Sequence, residues 1–235
     1  MMNTRVLMEI YHALLNHFGH RNWWPGDTRM EIMLGAILTQ AVSWKNVERA
    51  IANIKERDLL DLAKLKTVDQ EELAELIKPA LYHRQKARKI KELINFIVTN
   101  YEGNLDSMFK EPLGTLRDQL LQVWGIGPET ADSILLYAGG KRVFVVDAYT
   151  RRVFYRLGLV EEDITYAELQ QLMETHLPPQ IEIYNDYHAQ IVALGASYCK
   201  KNKPLCNKCP IAAWCEKLPD SRRNHDGGRK NELLE

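Results

Sequence analysis

Every cysteine of the chain falls in one short stretch near its C-terminus, Cys199-x6-Cys206-x2-Cys209-x5-Cys215. Thiols crowded in this way converge on a metal centre more readily than they pair as disulfides, above all in a reducing compartment. A tetrahedral zinc ion takes four thiolates, and so does a cubane iron–sulfur cluster. The spacing alone does not separate the two. Lys200, Lys201, Lys203 and Lys208 stand among the ligands and make the loop basic.

A second constellation lies about 70 residues upstream. Leu120-Leu121-Gln122-Val123-Trp124-Gly125-Ile126-Gly127-Pro128-Glu129-Thr130-Ala131 spells a helix, a Gly-x-Gly turn and a second helix opened by proline at its first position. Gly125 and Gly127 let backbone N–H groups approach a ligand closely. The following helix N-terminus adds a positive dipole end, which suits a phosphate. A packed helix–turn–helix corner would use the same residues. Twenty residues after Gly127, Val143-Phe144-Val145-Val146-Asp147-Ala148 sets one carboxylate directly after four apolar residues and at a helix start. An aspartate there is an ordinary N-cap, and an N-cap is also an oriented, ionised carboxylate.

The elements that must position these groups are helices. Leu7, Ile10, Tyr11, Leu14, Leu15 and Phe18 follow the i, i+3, i+4, i+7 stripe of an amphipathic helix stopped by Gly19. Thr28-x-x-Glu31, Thr67-x-x-Gln70 and Thr165-x-x-Glu168 carry the capping-box pattern and each predicts a helix start. Further helices are predicted over 44–54, 82–101, 116–122, 128–138, 148–157 and 184–198. Arg142 to Val146 is the one strand-like run, and a lone strand makes no sheet. The fold class expected is all-α.

The chain of 235 residues is 46% hydrophobic and 26% charged, with 31 basic and 31 acidic residues. Zero net charge argues mildly against a nucleic-acid partner. The charge is unevenly spread, however: His83 to Lys89 is basic, as are Arg151, Arg152 and Arg156, while acids gather in residues 69–75 and 161–168. No apolar run reaches the roughly 20 residues of a membrane span, and the N-terminus lacks a signal-peptide pattern. A cytoplasmic protein without membrane contact is expected, nucleoid-associated if prokaryotic. The polar, Gly-containing residues 218–235 are expected to be disordered.

The hairpin, the Val-Asp after it and the cysteine array, in that order and spacing, resemble the endonuclease III superfamily of helix-hairpin-helix DNA glycosylases over residues 27–216. The resemblance implies two helical lobes. One is a six-helix, barrel-like lobe with the hairpin over 28–136, and the other is built from 1–27 plus 137–217. It implies a [4Fe–4S] cluster on Cys199, Cys206, Cys209 and Cys215, double-stranded DNA containing a damaged base as partner, and a monomer. It makes Asp147 the catalytic group that stabilises positive charge on the deoxyribose or orients the attacking water. That role is physically sensible, because glycosidic cleavage builds an oxocarbenium-like cation.

Departures from the family pattern narrow the reaction. Where the bifunctional members carry a Schiff-base lysine this chain has Glu129, and a carboxylate forms no imine. Where the adenine-mismatch members carry a catalytic glutamate it has Gly35. A monofunctional enzyme remains. Asn22-Trp23-Trp24-Pro25-Gly26, followed by Leu38-Thr39-Gln40-Ala41-Val42-Ser43-Trp44, resembles the 3-methyladenine glycosylase branch. The resemblance makes Trp23, Trp24, Pro25 and Trp44 a base pocket, in which a cationic purine gains a cation–π term of about 0.5–2 kcal/mol. The same tryptophans could instead be packed core. A pocket lysine of that branch aligns to Ala196, which leaves the damaged base open. Gln40 is matched to a residue that fills the vacated base position and Leu81 to an apolar wedge, with Gly125, Gly127 and Thr130 completing the DNA contacts. The competing functions are a glycosylase for mismatched thymine, uracil or oxidised pyrimidines, and a non-catalytic metal-bound DNA-binding protein.

Overall fold

The computed structural model describes residues 3–216, so the expectation for the tail lies outside the described residues. Twelve α-helices follow one another there: α1 Thr4–Phe18, α2 Arg29–Leu38, α3 Trp44–Glu56, α4 Leu62–Thr67, α5 Gln70–Leu76, α6 His83–Tyr101, α7 Leu105–Lys110, α8 Leu113–Gln122, α9 Pro128–Ser133, α10 Ala148–Arg156, α11 Tyr166–His176 and α12 Ile181–Ser197. Helix α9 runs on into a π-helical turn, Ile134–Ala138. The described residues contain no strand; the Val143–Val146 run is buried, irregular chain, as a single apolar segment without a partner must be. No helix among them is long and apolar enough to cross a membrane.

The chain folds as two compact units. Asn22–Val145 is one and contains α2 to α9. Its core is the apolar faces of these helices, with Met33, Leu34, Ile37, Val47, Ile54, Leu73, Ile90 and Ile94 fully buried. The flanking described residues, 3–21 and 146–216, make the other unit, in which α1 and α10 to α12 assemble. There Tyr187 donates its hydroxyl to the Leu7 carbonyl at 2.9 Å and Tyr11 donates to Asp186 at 3.0 Å. These bonds tie the first helix of the chain to the last. The buried tyrosines satisfy their polar ends while their rings fill the core.

Local chemistry explains most helix ends. Gly19, at φ 68°, closes α1 where a Cβ would be strained. Thr28 caps α2 as its motif predicts, although Glu31 reaches back one residue further, to the Asp27 N–H. Thr165 and Glu168 form the reciprocal capping box. The Thr67-x-x-Gln70 expectation is corrected. Thr67 is the last residue of α4, its hydroxyl donating to the carbonyls of Ala63 and Lys64, and Asp69 caps α5 by accepting from the Glu71 and Glu72 N–H groups. Two capping candidates stand two residues apart there, and the carboxylate wins because it accepts two N–H groups with a full negative charge at the positive dipole end. Helices α4 and α7, six residues each, carry too few turns to show a period and were not expected.

Candidate functional site

Asp147 is the N-cap of α10, and its two carboxylate oxygens do different things. Oδ1 accepts from the Thr150 backbone N–H at 2.7 Å and from the Thr150 hydroxyl at 2.8 Å. Oδ2 faces Nε2 of His188, on α12, at 3.7 Å. The side chains are 11% and 6% exposed. Burial pushes the carboxyl group up, but His188 and the Thr150 donors outweigh it, so Asp147 is held below its ordinary range. The result is a buried, ionised carboxylate with one oxygen committed to the helix. Sequence reasoning missed His188. Its only signal was its residue type within the expected helix over 184–198, where it is buried along with Asp186, Tyr187 and Gln190.

In the unit spanning 22–145, three of the sequence-predicted DNA-contact residues come together. Gln40 donates through Nε2 to the Thr130 hydroxyl at 2.8 Å, and Lys89 Nζ donates to Gln40 Oε1. The Lys89 stem lies over Gly125, where a Cβ would come within 2.5 Å of its Cγ. Gly125 also sits at φ 81°, so two independent constraints demand glycine there. Gly127 caps α9 and is exposed, as is Glu129 in the first turn. Leu81 is 52% exposed, so it is not a core leucine. Lys86 is 2% exposed and donates to the carbonyls of Leu38 at 2.8 Å and Ala80 at 2.6 Å. One ammonium therefore ties the turn before Gln40 to the turn bearing Leu81. Burial pushes it down to about 8. Arg88 stacks over the exposed Trp124 ring of the hairpin at 3.9 Å. Neither Lys86 nor Lys89 stood out from the basic run 83–89.

The aromatic residues converge in the same unit. The Trp23 ring centroid lies 5.1 Å from that of Trp24 and 4.9 Å from that of Trp44, and Trp24 lies 5.5 Å from Trp44. Tyr137, supplied by the π-helical turn, joins at 5.3 Å from Trp24 and was not foreseen. A Cβ at Gly35 would stand 2.9 Å from Trp24 Nε1, so the glycine is what lets this ring lie against α2. Trp23 Nε1 is buried and donates to no acceptor. Pro25 is exposed, and beside it a cavity of about 530 Å³ is lined by Trp24, Trp44, Glu31 and Lys55 among others.

The cysteine loop is held by arginines of α10. Arg152 donates to the Cys199 carbonyl at 2.8 Å, and Arg156 donates to the Lys200 carbonyl at 2.7 Å and to Cys199 Sγ at 3.4 Å. Cys215 Sγ donates to the Arg156 carbonyl at 3.1 Å. Burial pushes the Cys209 thiol up to about 11, and Cys199, Cys215 and Cys206, all close enough to act on it, add to the shift. Four partly buried thiols form a donor set that fits a soft, four-thiolate group. Among the described residues no three His, Cys, Asp or Glu side chains are placed to hold a single metal ion.

Comparison with known proteins gives this geometry a family. Residues 34–179 match the HhH-GPD superfamily of base excision DNA repair proteins. A candidate DNA repair glycosylase of Methanocaldococcus jannaschii is 50% identical over 212 residues, spanning 89% of this chain and 96% of that protein. Endonuclease III of Sulfolobus acidocaldarius is 30% identical over 202 residues, 85% and 87% of the two chains. Among solved structures, the Helicobacter pylori 3-methyladenine DNA glycosylase bound to 1,N6-ethenoadenine superposes with a TM-score of 0.71. It is 26% identical and spans 81% of this chain and 96% of its own. A non-covalent endonuclease III–DNA complex superposes at 0.77 with 22% identity over 92% and 97% of the chains, a likeness of fold. The chain belongs to the HhH-GPD superfamily of base excision DNA repair proteins.

Proposed function

We propose that this DNA glycosylase is monofunctional and releases alkylated purines such as 3-methyladenine from double-stranded DNA, acting as a monomer. The observation that carries the reading is the cluster of Trp23, Trp24, Trp44 and Tyr137. Electron-rich ring faces of this kind favour a base that carries positive charge over its neutral counterpart. A base flipped out of the stack is read by such stacking. Pro25 edges the pocket, Gln40 and Leu81 occupy and wedge the vacated site, and Gly125, Gly127 and Thr130 serve the backbone contacts. The likeness to a 3-methyladenine glycosylase of similar length supports the same substrate class.

In the reaction the C1′–N bond breaks, the cationic base keeps the electron pair and leaves neutral, and water adds to C1′ and gives its proton to solvent. Asp147 Oδ2 is the counter-charge to the developing sugar cation, while Oδ1 stays with the helix. A base that leaves uncharged needs little acid catalysis, so one carboxylate suffices. Glu129 cannot attack C1′ as an amine would, so the strand stays intact. Cys199, Cys206, Cys209 and Cys215 would hold a [4Fe–4S] cluster, which when bound cross-links the loop that presents Lys200, Lys201, Lys203 and Lys208. The test is incubation of purified protein with methylated duplex DNA and chromatography of the freed bases. Release of 3-methyladenine is expected. Release of thymine or uracil from mismatched duplexes, with no methylpurine freed, would overturn the substrate class.

A further inference from the structure

We propose that His188 is the positioning residue of Asp147, holding the one carboxylate oxygen that remains free to act. The inference rests on the reading of Asp147 as the catalytic group. Its starting point is the unequal use of the two oxygens. Both donors to Oδ1 come from the same residue, Thr150. An anchor at one oxygen from one side lets the carboxylate plane pivot about it, so the cap by itself does not aim Oδ2. His188 Nε2 faces Oδ2 at 3.7 Å from a different helix and supplies the second point that aims it.

The histidine is held in turn by the packing of α10 on α12. Gly195 lets the two helices approach, since a Cβ there would lie 2.3 Å from the Tyr149 ring. Arg152 bonds the carbonyls of Gly195 and Cys199 across the same contact. The nearby acid on α12, Asp186, is occupied by the Tyr11 hydroxyl, the Arg21 N–H and Gln190. It does not compete for the imidazole edge that faces Asp147. Facing Oδ2 across 3.7 Å from a second helix, the imidazole edge gives this buried oxygen a fixed polar neighbour on the side that the cap leaves open. Such a partner orients a reacting group as an outer-shell carboxylate orients a metal-bound histidine.

Three replacements measured beside Asp147→Asn test this. His188→Leu removes the donor and keeps apolar bulk. His188→Gln keeps a neutral amide donor at nearly the reach of Nε2, and His188→Asn keeps the amide but falls short. The readouts are single-turnover base release at saturating enzyme, binding of damaged duplex, and thermal midpoint. Loss of an aiming group lowers the rate by about tenfold or more while leaving binding nearly unchanged. That is expected of the Leu and Asn variants, with Gln retaining a rate within about threefold of the parent. A merely structural histidine would move the thermal midpoint in all three and split rate from binding in none. If Asp147→Asn abolishes release while His188→Leu retains the full rate, the inference fails and the catalytic assignment stands. If Asp147→Asn keeps its activity, the assignment itself fails. Should the Leu variant not fold, equal rates for the Gln and Asn variants would overturn the inference.

Discussion

At the residue scale, Asp147 and the tryptophans have separable signatures. Asp147→Asn keeps size and part of the cap but removes the charge. It should lower single-turnover release by roughly 10²-fold or more, the scale of losing one preorganised electrostatic group, with damaged-duplex binding little changed. The pH dependence of stability follows from the same side chain. Its folded carboxyl is held below the ordinary range, so it stabilises the fold above the unfolded value of about 4 and loses that contribution as pH falls through the folded value. The stability gap between parent and Asp147→Asn, read by thermal melts, should therefore be present at neutral pH and shrink in strong acid. Leucine at Trp23, Trp24 or Trp44 keeps apolar bulk and removes the π-face. Release of cationic 3-methyladenine should fall more than release of a neutral purine lesion, because the cation–π contribution exists only for the charged base. Unchanged selectivity in all three variants would make these rings packing residues. The tryptophans were legible in the sequence as a motif, but Tyr137 and His188 were not, since neither carries a local signal beyond its residue type.

At the element scale, the hairpin and the start of α6 act together. Gly125→Ala must relieve both a left-handed φ and a clash with the Lys89 stem. A cost of about 1–3 kcal/mol is expected, as for other forced insertions into packed sites. Displacement of Lys89 should also loosen Gln40 and weaken duplex binding, measurable by anisotropy. Parent-like stability and affinity would show that the contact gives way freely. Helix ends were readable where a single residue dominates, as at Gly19 and Thr165. They were misread at Thr67, where hydroxyl and carboxylate compete within three residues and the charge decides.

At the scale of the whole molecule, the chemistry expected of the chain is hydrolysis without strand cleavage. Product strands should stay intact until alkali is added, and borohydride should trap no covalent adduct; an adduct would show that some amine other than a residue at position 129 supplies the imine. Protein purified without oxygen should be yellow-brown with about four irons per chain, as a four-thiolate cubane requires. Serine at any of the four cysteines should lower iron content and thermal stability together. Stoichiometric zinc in a colourless protein would replace the cluster by a tetrahedral site. By itself the sequence determined the helical class, the cysteine array, the hairpin and the N-cap aspartate, because each is written in spacings of a few residues along one segment. Only the tertiary structure decided which side chains meet. It brought Trp23 and Trp24 to Trp44 and Tyr137, Lys89 to Gln40 and Thr130, Lys86 to two turns at once, and His188 to Asp147. Those contacts depend on how whole helices pack, on glycines such as Gly35 and Gly195 that let them approach, and on no period that a single segment carries.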